Sequence, residues 1–329
     1  MATRELVEPQ AETIERFRQD LDALIGSQLP IGIAVSGGPD SLALLALAAA
    51  ARPGLIEAAT VDHGLRAESR AEADMVACVC RTLGVSHQIL TVTWPKTPET
   101  ALQERARVER YKLLGNWAKE RGLPAIVTAH HLDDQAETFM MRLTRGAGVR
   151  GLAGMRRSSS VPGVADLPLL RPLLGWRRAE LKQICLDFGL TPADDPSNLD
   201  DQFERVRVRR ALADASWLDS RAVATSARNL GEADLALRWS TTQAWERSVK
   251  EEGDALVFVP TDIPREIRRR IVRRMIGRLA SEGKGNELRG REFDRVLNML
   301  EQGEKTTLRG VMCTSGRIWR FTKAPHRKG

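Results

Sequence analysis

Between Ile31 and Arg145, short apolar runs alternate with longer helical ones four times over, and this alternation restricts the possible folds more than any other feature of the chain. The spacing predicts strands over Ile31–Ser36, Leu55–Asp62, Gln88–Thr93 and Ala125–Ala129, with helices over Pro39–Ala51, 68–83, 99–121 and 132–145. An amphipathic helix carrying Ile14, Phe17, Leu21, Leu24 and Ile25 precedes them. Strands alternating with helices make a parallel sheet covered on both faces, so the expected class is α/β with a doubly wound sheet. Such sheets bind ligands beyond the carboxyl ends of their strands. Hydrophobic residues make up 42% of the 329, and no apolar run approaches a membrane span. The N-terminus lacks a basic-then-apolar leader, so a cytoplasmic protein with no membrane partner is expected. Cys78, Cys80, Cys185 and Cys313 form no C-x-x-C pair, which argues against a disulfide scaffold or a zinc knuckle.

The pattern changes after Arg145. Gly146, Gly148, Gly151 and Gly154 open a stretch that reads as irregular through Pro172 and could close over a ligand as a lid. Helical signal resumes over 178–188, 203–218 and 221–250, followed by apolar runs at 255–259 and 317–322. The expected domains are therefore 1–216 and a smaller, mostly helical 217–329. The chain's net charge of +7 is concentrated between Pro264 and Arg291, where nine arginines and Lys284 face only three glutamates. A basic stripe of this kind suits a polyanion such as the backbone of a nucleic acid, or else is a solvated helix face.

The sharpest local signal is Ser36-Gly37-Gly38-Pro39-Asp40-Ser41, set between the first strand and its helix. Glycines permit a tight turn with exposed N–H groups, proline suits the first helical position, and the helix N-terminus favours an anion. The loop is neither Walker A nor G-x-G-x-x-G. Asp40 is either a helix-start carboxylate or, beside phosphates, a ligand of Mg²⁺ that prevents repulsion.

With this loop the chain resembles the PP-loop ATP pyrophosphatases, which cleave ATP to AMP and pyrophosphate while adenylating a carbonyl oxygen. Further motifs narrow the resemblance to the tRNA(Ile)-lysidine synthases. They are Val61–Arg66 with Glu68-Ser69, Ala106-Arg107 with Arg110-Tyr111, Thr128–Thr138, Arg145–Gly148, Gly151–Met155, Arg171–Leu174 and Asp194–Asn198. The resemblance implies an adenine nucleotide alpha hydrolase-like, Rossmann-like fold. It also implies ATP with Mg²⁺, L-lysine, and a tRNA(Ile) with a CAU anticodon whose wobble cytidine becomes lysidine. On this basis Ser36, Gly37, Gly38, Pro39, Asp40, Ser41, Asp62, Arg107 and Arg110 are candidate nucleotide contacts, and Asp40 the metal ligand. Asp40, His130, Asp133, Asp134 and Glu137 are the candidate catalytic residues.

The residues keep plainer readings beside these. Asp133 and Glu137 lie one turn apart with Asp134 beside them, fit to receive a cationic substrate or merely to complement a helix N-terminus. His130 or one of the acids could take the proton of an amine nucleophile, or the histidines could cap the strand end. Asp62 is a ribose contact or a turn residue, His63 structural, and Arg107 with Arg110 either phosphate ligands or an ion-paired helix face.

Val206 stands where the family carries Asn, which leaves Arg205 and Arg209 as the candidate phosphate contacts there. The chain resembles members without the distal C-terminal domain. Its oligomeric state is open, a homodimer included. Competing readings are a tRNA thiolase, a synthetase coupled to an amidotransferase, and a tRNA-binding protein without catalysis.

Overall fold

A computed structural model describes residues 11–65, 68–94, 102–193, 200–280 and 290–325. Arg66, the Asp194–Asn198 motif, the basic-segment residues 281–289 and the Arg291 side chain lie outside the described residues. The chain forms two compact units, one of Met1–Gly146 with Gly151–Arg228, the other of Ala147–Arg150 with Asn229–Gly329. Among the described residues, no helix is long and apolar enough to cross a membrane.

In the larger unit the elements run α1 (Ala11–Asp22), β1 (Ile31–Ala34), α2 (Pro39–Ala51), β2 (Ile56–Asp62), α3 (Glu68–Thr82), β3 (Ser86–Thr91), α4 (Leu102–Glu120), β4 (Ile126–Val127) and α5 (Leu132–Leu143). A short helix, α6 (Val149–Leu152), whose first two residues belong to the smaller unit, is followed by β5 (Ser158–Ser160), β6 (Pro168–Leu170), α7 (Arg178–Asp187) and α8 (Glu204–Asp214). α9 (Ser220–Ser248) begins in this unit. The strands form one sheet in the order β3-β2-β1-β4-β6-β5, parallel except for β5. β1 pairs with β2 on one side and β4 on the other, so the chain reverses its winding between β1 and β4. Loops leaving these two strands flank one crevice, the position where open α/β sheets bind ligands.

The core explains the central place of α2. Every residue from Ser41 to Ala48 is buried, which a helix apolar on all sides requires, and α1, α7 and the sheet enclose it. Gly32 in β1 has a physical reason as well: a Cβ there would stand 2.7 Å from the Trp117 ring of α4.

The stretch after Arg145 departs from the sequence expectation. Six of its residues form β5 and β6, and Leu169 and Leu170 are buried. Three-residue strands are too short to show a period, and a proline at the first position of a strand masks the second. Side chains of α5 hold the second pair of the glycines, Gly151 and Gly154, together with Met155. Gln135 of α5 donates to the Met155 carbonyl at 2.7 Å and accepts from the Met155 N–H at 2.6 Å, while Arg142 donates to the carbonyls of Gly151 (2.7 Å) and Gly154 (3.1 Å).

In the smaller unit, β7 (Val249–Glu252), β8 (Ala255–Phe258), α10 (Arg265–Leu279), α11 (Gly290–Glu301), β9 (Thr306–Leu308), β10 (Val311–Thr314) and β11 (Trp319–Lys323) follow α9. An antiparallel sheet of order β7-β8-β11-β10-β9 packs Phe258, Val311, Trp319 and Phe321 against Ile271, Met275, Phe293 and Leu297. The apolar runs read at 255–259 and 317–322 fall on β8 and β11, two of its three inner strands.

Candidate functional site

The loop after β1 is shaped by its own hydroxyls. Ser41 donates from Oγ to the Gly38 carbonyl at 2.9 Å and accepts from the Ser36 N–H at 3.2 Å, while Gly37 takes φ +84°, which a side chain would strain. Gly38 stands at the N-cap of α2 without a side-chain cap, and nothing lies near the place its Cβ would occupy. The first N–H groups of α2 therefore keep their capacity for an anion. Asp40 sits in the first turn of α2, and its Oδ1 is buried with no hydrogen-bond partner.

Across the crevice, the loop after β4 brings the histidines and acids together. His131 is the N-cap of α5: its Nδ1 accepts from the Asp134 N–H at 3.4 Å, and Asp134 Oδ2 accepts from the His131 N–H at 3.1 Å. Its Nε2 points toward Asp40 Oδ2, 3.3 Å away. Asp134 is thus a cap as well as a site residue. Burial favours its neutral form, but His131, His130 and Arg205 outweigh that and hold its pKa below the usual range.

His130 pairs through Nδ1 with Thr128 Oγ1 at 2.9 Å. Burial, aided by Arg171, Arg205 and Arg107 and opposed by Asp134, pushes its pKa down to about 4, so it is neutral at pH 7. His63 is also lowered to about 4 and His87 is lowered, in both cases chiefly by burial. Above pH 6.5 both folded and unfolded states hold these rings neutral. Below it the unfolded chain binds protons that the folded chain does not, so stability falls until about pH 4. Each unit of downward shift carries about 1.4 kcal/mol. The midpoint of thermal unfolding is expected to drop between pH 7.5 and 5, and to drop less in His130→Gln; a flat profile would contradict this.

The acids do not stand alone. Asp133 accepts from the Arg178 N–H at 2.7 Å and lies 3.3 Å from Arg177 Nε. Glu137, 1% exposed, has Arg209 at 2.7 Å, Arg178 at 3.4 Å and Arg205 at 3.5 Å. Arg178 also comes within 4.0 Å of Asp40 and of Asp134. The acids, read from the sequence as a receptor for a cation or a complement to a helix N-terminus, stand in a mixed network, with four arginines from α7, its N-cap and α8 beside four carboxylates. Arg177 and Arg178 were not among the residues anticipated. Two cations at a helix start oppose the helix dipole, and that anomaly was a usable signal.

The remaining candidates fall on either side of this crevice. Asp62 is buried and accepts from the Gly64 N–H at 2.9 Å, which is the turn role. Arg110 donates to His63 Nε2 at 3.4 Å, and Arg107 lies over the Tyr111 ring. Val206, at the family's Asn position, is buried and makes no polar side-chain contact. Between α5, α7 and the α8–α9 connection is a cavity of about 560 Å³ lined by Asp133, Arg177, Arg178, Arg209, Trp217 and Asp219 among others. Trp217 is 82% exposed at its edge.

Cysteine chemistry is not prepared here. Burial pushes the Cys80 and Cys313 thiols up to about 12 and Cys185, also facing Asp40, up to about 11. These are packed residues rather than the thiolates a thiolase needs.

In the smaller unit, much of the basic stripe is already paired. Arg265 and Arg268 meet Glu301, Arg269 meets Glu266 and Asp294, Arg278 meets Glu251, and Arg270 meets Glu266 and the fully buried Asp234 at 2.8 Å. Arg273 and Arg274 lie instead over the Phe293 and Trp245 rings. Charge reversal at Arg270 is thus a stability experiment, expected to cost about 3 kcal/mol by setting a second negative charge against the buried Asp234, which also pairs with Arg238 at 2.9 Å. Reversal at exposed Arg274 is the better test of the polyanion reading: on that reading, binding of a nucleic acid weakens across all sequences and its salt slope flattens, and an unchanged slope removes the reading.

Comparison with known proteins agrees with this architecture. A family model described as a PP-loop domain matches residues 9–216. The tRNA(Ile)-lysidine synthase of Novosphingobium aromaticivorans is 48% identical over 316 residues, covering 95% of this chain and 94% of the relative. That of Zymomonas mobilis is 40% identical over 320 residues, with coverage of 95% and 94%. Among solved structures, the U34-tRNA thiolase NcsA from Methanococcus maripaludis, with its 4Fe-4S cluster, aligns with a TM-score of 0.57 at 18% identity. It covers 67% of this chain and 78% of its own, a likeness of fold. With a PP-loop domain over most of its larger unit and such relatives along nearly its whole length, the chain belongs to the tRNA(Ile)-lysidine synthase family.

Proposed function

We propose that this chain uses ATP to join L-lysine to C2 of the wobble cytidine of tRNA(Ile) bearing a CAU anticodon, forming lysidine and releasing AMP and pyrophosphate. The observation that carries this reading is an uncapped, anion-ready helix start linked through Arg178, 4.0 Å from Asp40, to a cavity lined by both signs of charge. Lysine is a zwitterion with a cationic side chain, so its site needs carboxylates and cations together. Asp133 and Asp219 suit the ammonium groups, and Arg177 or Arg178 the carboxylate.

Cytosine O2 is a poor leaving group. In the first step it attacks the α-phosphorus of ATP, the P–O bond to the β-phosphate breaks, and pyrophosphate leaves on the Ser36–Ser41 loop. In the second step the lysine side-chain amine attacks C2 and gives up a proton, and the C2–O bond breaks to release AMP. A buried carboxylate oxygen with no partner, Asp40 Oδ1, fits a divalent cation facing the loop. Among the described residues no group of three or more His, Cys, Asp or Glu could hold an ion by itself, so phosphates and water would complete the shell. Mg²⁺ bound there supplies neutralisation of the phosphate charge. Glu137 holds Arg178, Arg205 and Arg209 in place rather than meeting lysine itself.

Asp133→Asn and Arg177→Ala are expected to raise the KM for lysine about tenfold or more, with lysine-independent ATP affinity unchanged. Steady-state AMP release against lysine concentration checks this. Unchanged lysine KM in both variants would move the amino-acid site elsewhere.

A further inference from the structure

Of the seven tryptophans, Trp217 is the most exposed, and it stands on the lining of the charged cavity. Trp117, Trp176 and Trp319 fill cores, Trp94 donates to the His63 carbonyl, and Trp245 lies under Arg274. Among the described residues nothing pairs with the Trp217 indole N–H or covers its ring. Its backbone is nonetheless held at both ends. Ala215 is the C-cap of α8, and the Leu218 N–H returns to the Ala215 carbonyl at 2.9 Å, so Trp217 takes the third position of a turn. Asp219 then accepts from the Arg221 N–H at 2.9 Å through Oδ1 and from the Val223 N–H at 3.1 Å through its carbonyl, which starts α9. The same carboxylate lies 3.6 Å from Arg177 at the start of α7. A large aromatic face is thus fixed in direction yet left to water, the arrangement of a contact residue rather than a packed one.

We propose that Trp217 is the platform on which the wobble cytosine stacks once it has left the anticodon. The inference rests on the reading of this cavity as the lysine site. Cytosine C2 must meet the lysine amine, so a cavity that holds lysine brings the base to its rim. A base reached at a ring atom has to leave its neighbours, and an aromatic side chain replaces the stacking it loses. Lysine itself does not suit the ring. Its charged groups find Asp133 and Arg178, the largely buried part of the lining, whereas Trp217 is too exposed to enclose a small molecule. Arg178 is also within 4.0 Å of Asp40, which sets the phosphate loop beside the same lining. Stacking tolerates any base, so Trp217 presents the cytosine without selecting it.

The full chain is assayed for AMP release, with tRNA(Ile) and lysine varied separately, beside thermal unfolding. A solvent-exposed ring contributes little to the fold, so Trp217→Ala should unfold at the parent's temperature. Its kcat/KM for tRNA should fall about 10- to 100-fold, with the KM for lysine unchanged. Trp217→Phe keeps a stacking face and should recover most of the loss, whereas Trp217→Leu, apolar but without a ring, should not. A tRNA lacking only the wobble base serves as a binding competitor. The parent should bind it more weakly than intact tRNA, and Trp217→Ala should bind the two alike.

A parent-like kcat/KM in Trp217→Ala, or a Trp217→Leu protein as active as Trp217→Phe, overturns the proposal. A raised lysine KM with the tRNA dependence unchanged assigns the ring to lysine, which overturns it too while the proposed function stands. A parent protein that releases no AMP in response to lysine and tRNA overturns both.

Discussion

Asp40→Asn should cut AMP and pyrophosphate formation by about 10²–10³-fold at saturating ATP, the range expected when one charge that stabilises a transition state is removed. Asn has the size of Asp and can still occupy the first turn of α2, so the packing around it, including Cys185, is kept. What disappears is the negative charge on an oxygen that is buried and accepts no hydrogen bond from the protein. A carboxylate at a helix start contributes about 0.3–1 kcal/mol, so the unfolding midpoint should fall by only a few degrees. The loss should deepen as Mg²⁺ becomes limiting. An Asp40→Asn protein with the parent's Mg²⁺ dependence would remove the metal assignment.

Glu137→Ala should do more to the fold than any other single change in the site. Its carboxylate is almost wholly buried and is the common partner of Arg178, Arg205 and Arg209, which approach from 41, 68 and 72 residues away in the chain. Removing one member of a buried ion network leaves the others uncompensated, at a cost of about 3–5 kcal/mol. Arg205 and Arg209 are 43% and 31% exposed and can partly turn to water, which places the expectation near the lower figure. With Glu137 gone, α8 loses its ion pairs to α5 and keeps the Arg205–Thr138 hydrogen bond at 3.2 Å, and the arginines lining the cavity lose their alignment. Lysine-dependent AMP release should become undetectable even where the protein remains folded at low temperature. Glu137→Gln keeps the volume and one hydrogen bond and should lie between the two. Urea unfolding followed beside activity checks both, and a parent-like midpoint for Glu137→Ala would contradict the network.

What could be read without the structure was whatever depends on neighbours in the chain. The phosphate loop, the apolar α2 and the acid-bearing α5 each carry their signal within about a dozen residues, and each lies where it was expected. Short-range signals misled where one residue type serves two ends. The glycines after Arg145 read as one irregular stretch, yet Arg142 holds Gly151 and Gly154, Gln135 holds Met155, and a Cβ on Gly154 would stand 2.5 Å from Gln135 Oε1. The arginines of the basic stripe looked equivalent, yet Arg270 completes a buried pair with Asp234 of α9 and Arg274 covers Trp245. The convergence of Arg177, Arg178, Arg205 and Arg209 on the acids was out of reach because it is a property of the fold. Helical periodicity shows which face a residue occupies but not which distant helix meets it.

Purified protein incubated with ATP, Mg²⁺, labelled lysine and unmodified tRNA(Ile) bearing CAU tests the central claim most directly, with label in RNA and AMP measured together. The account predicts that label enters the tRNA only when ATP is present, with one AMP released per lysine joined. AMP released without label, or tRNA bound with neither, would contradict it.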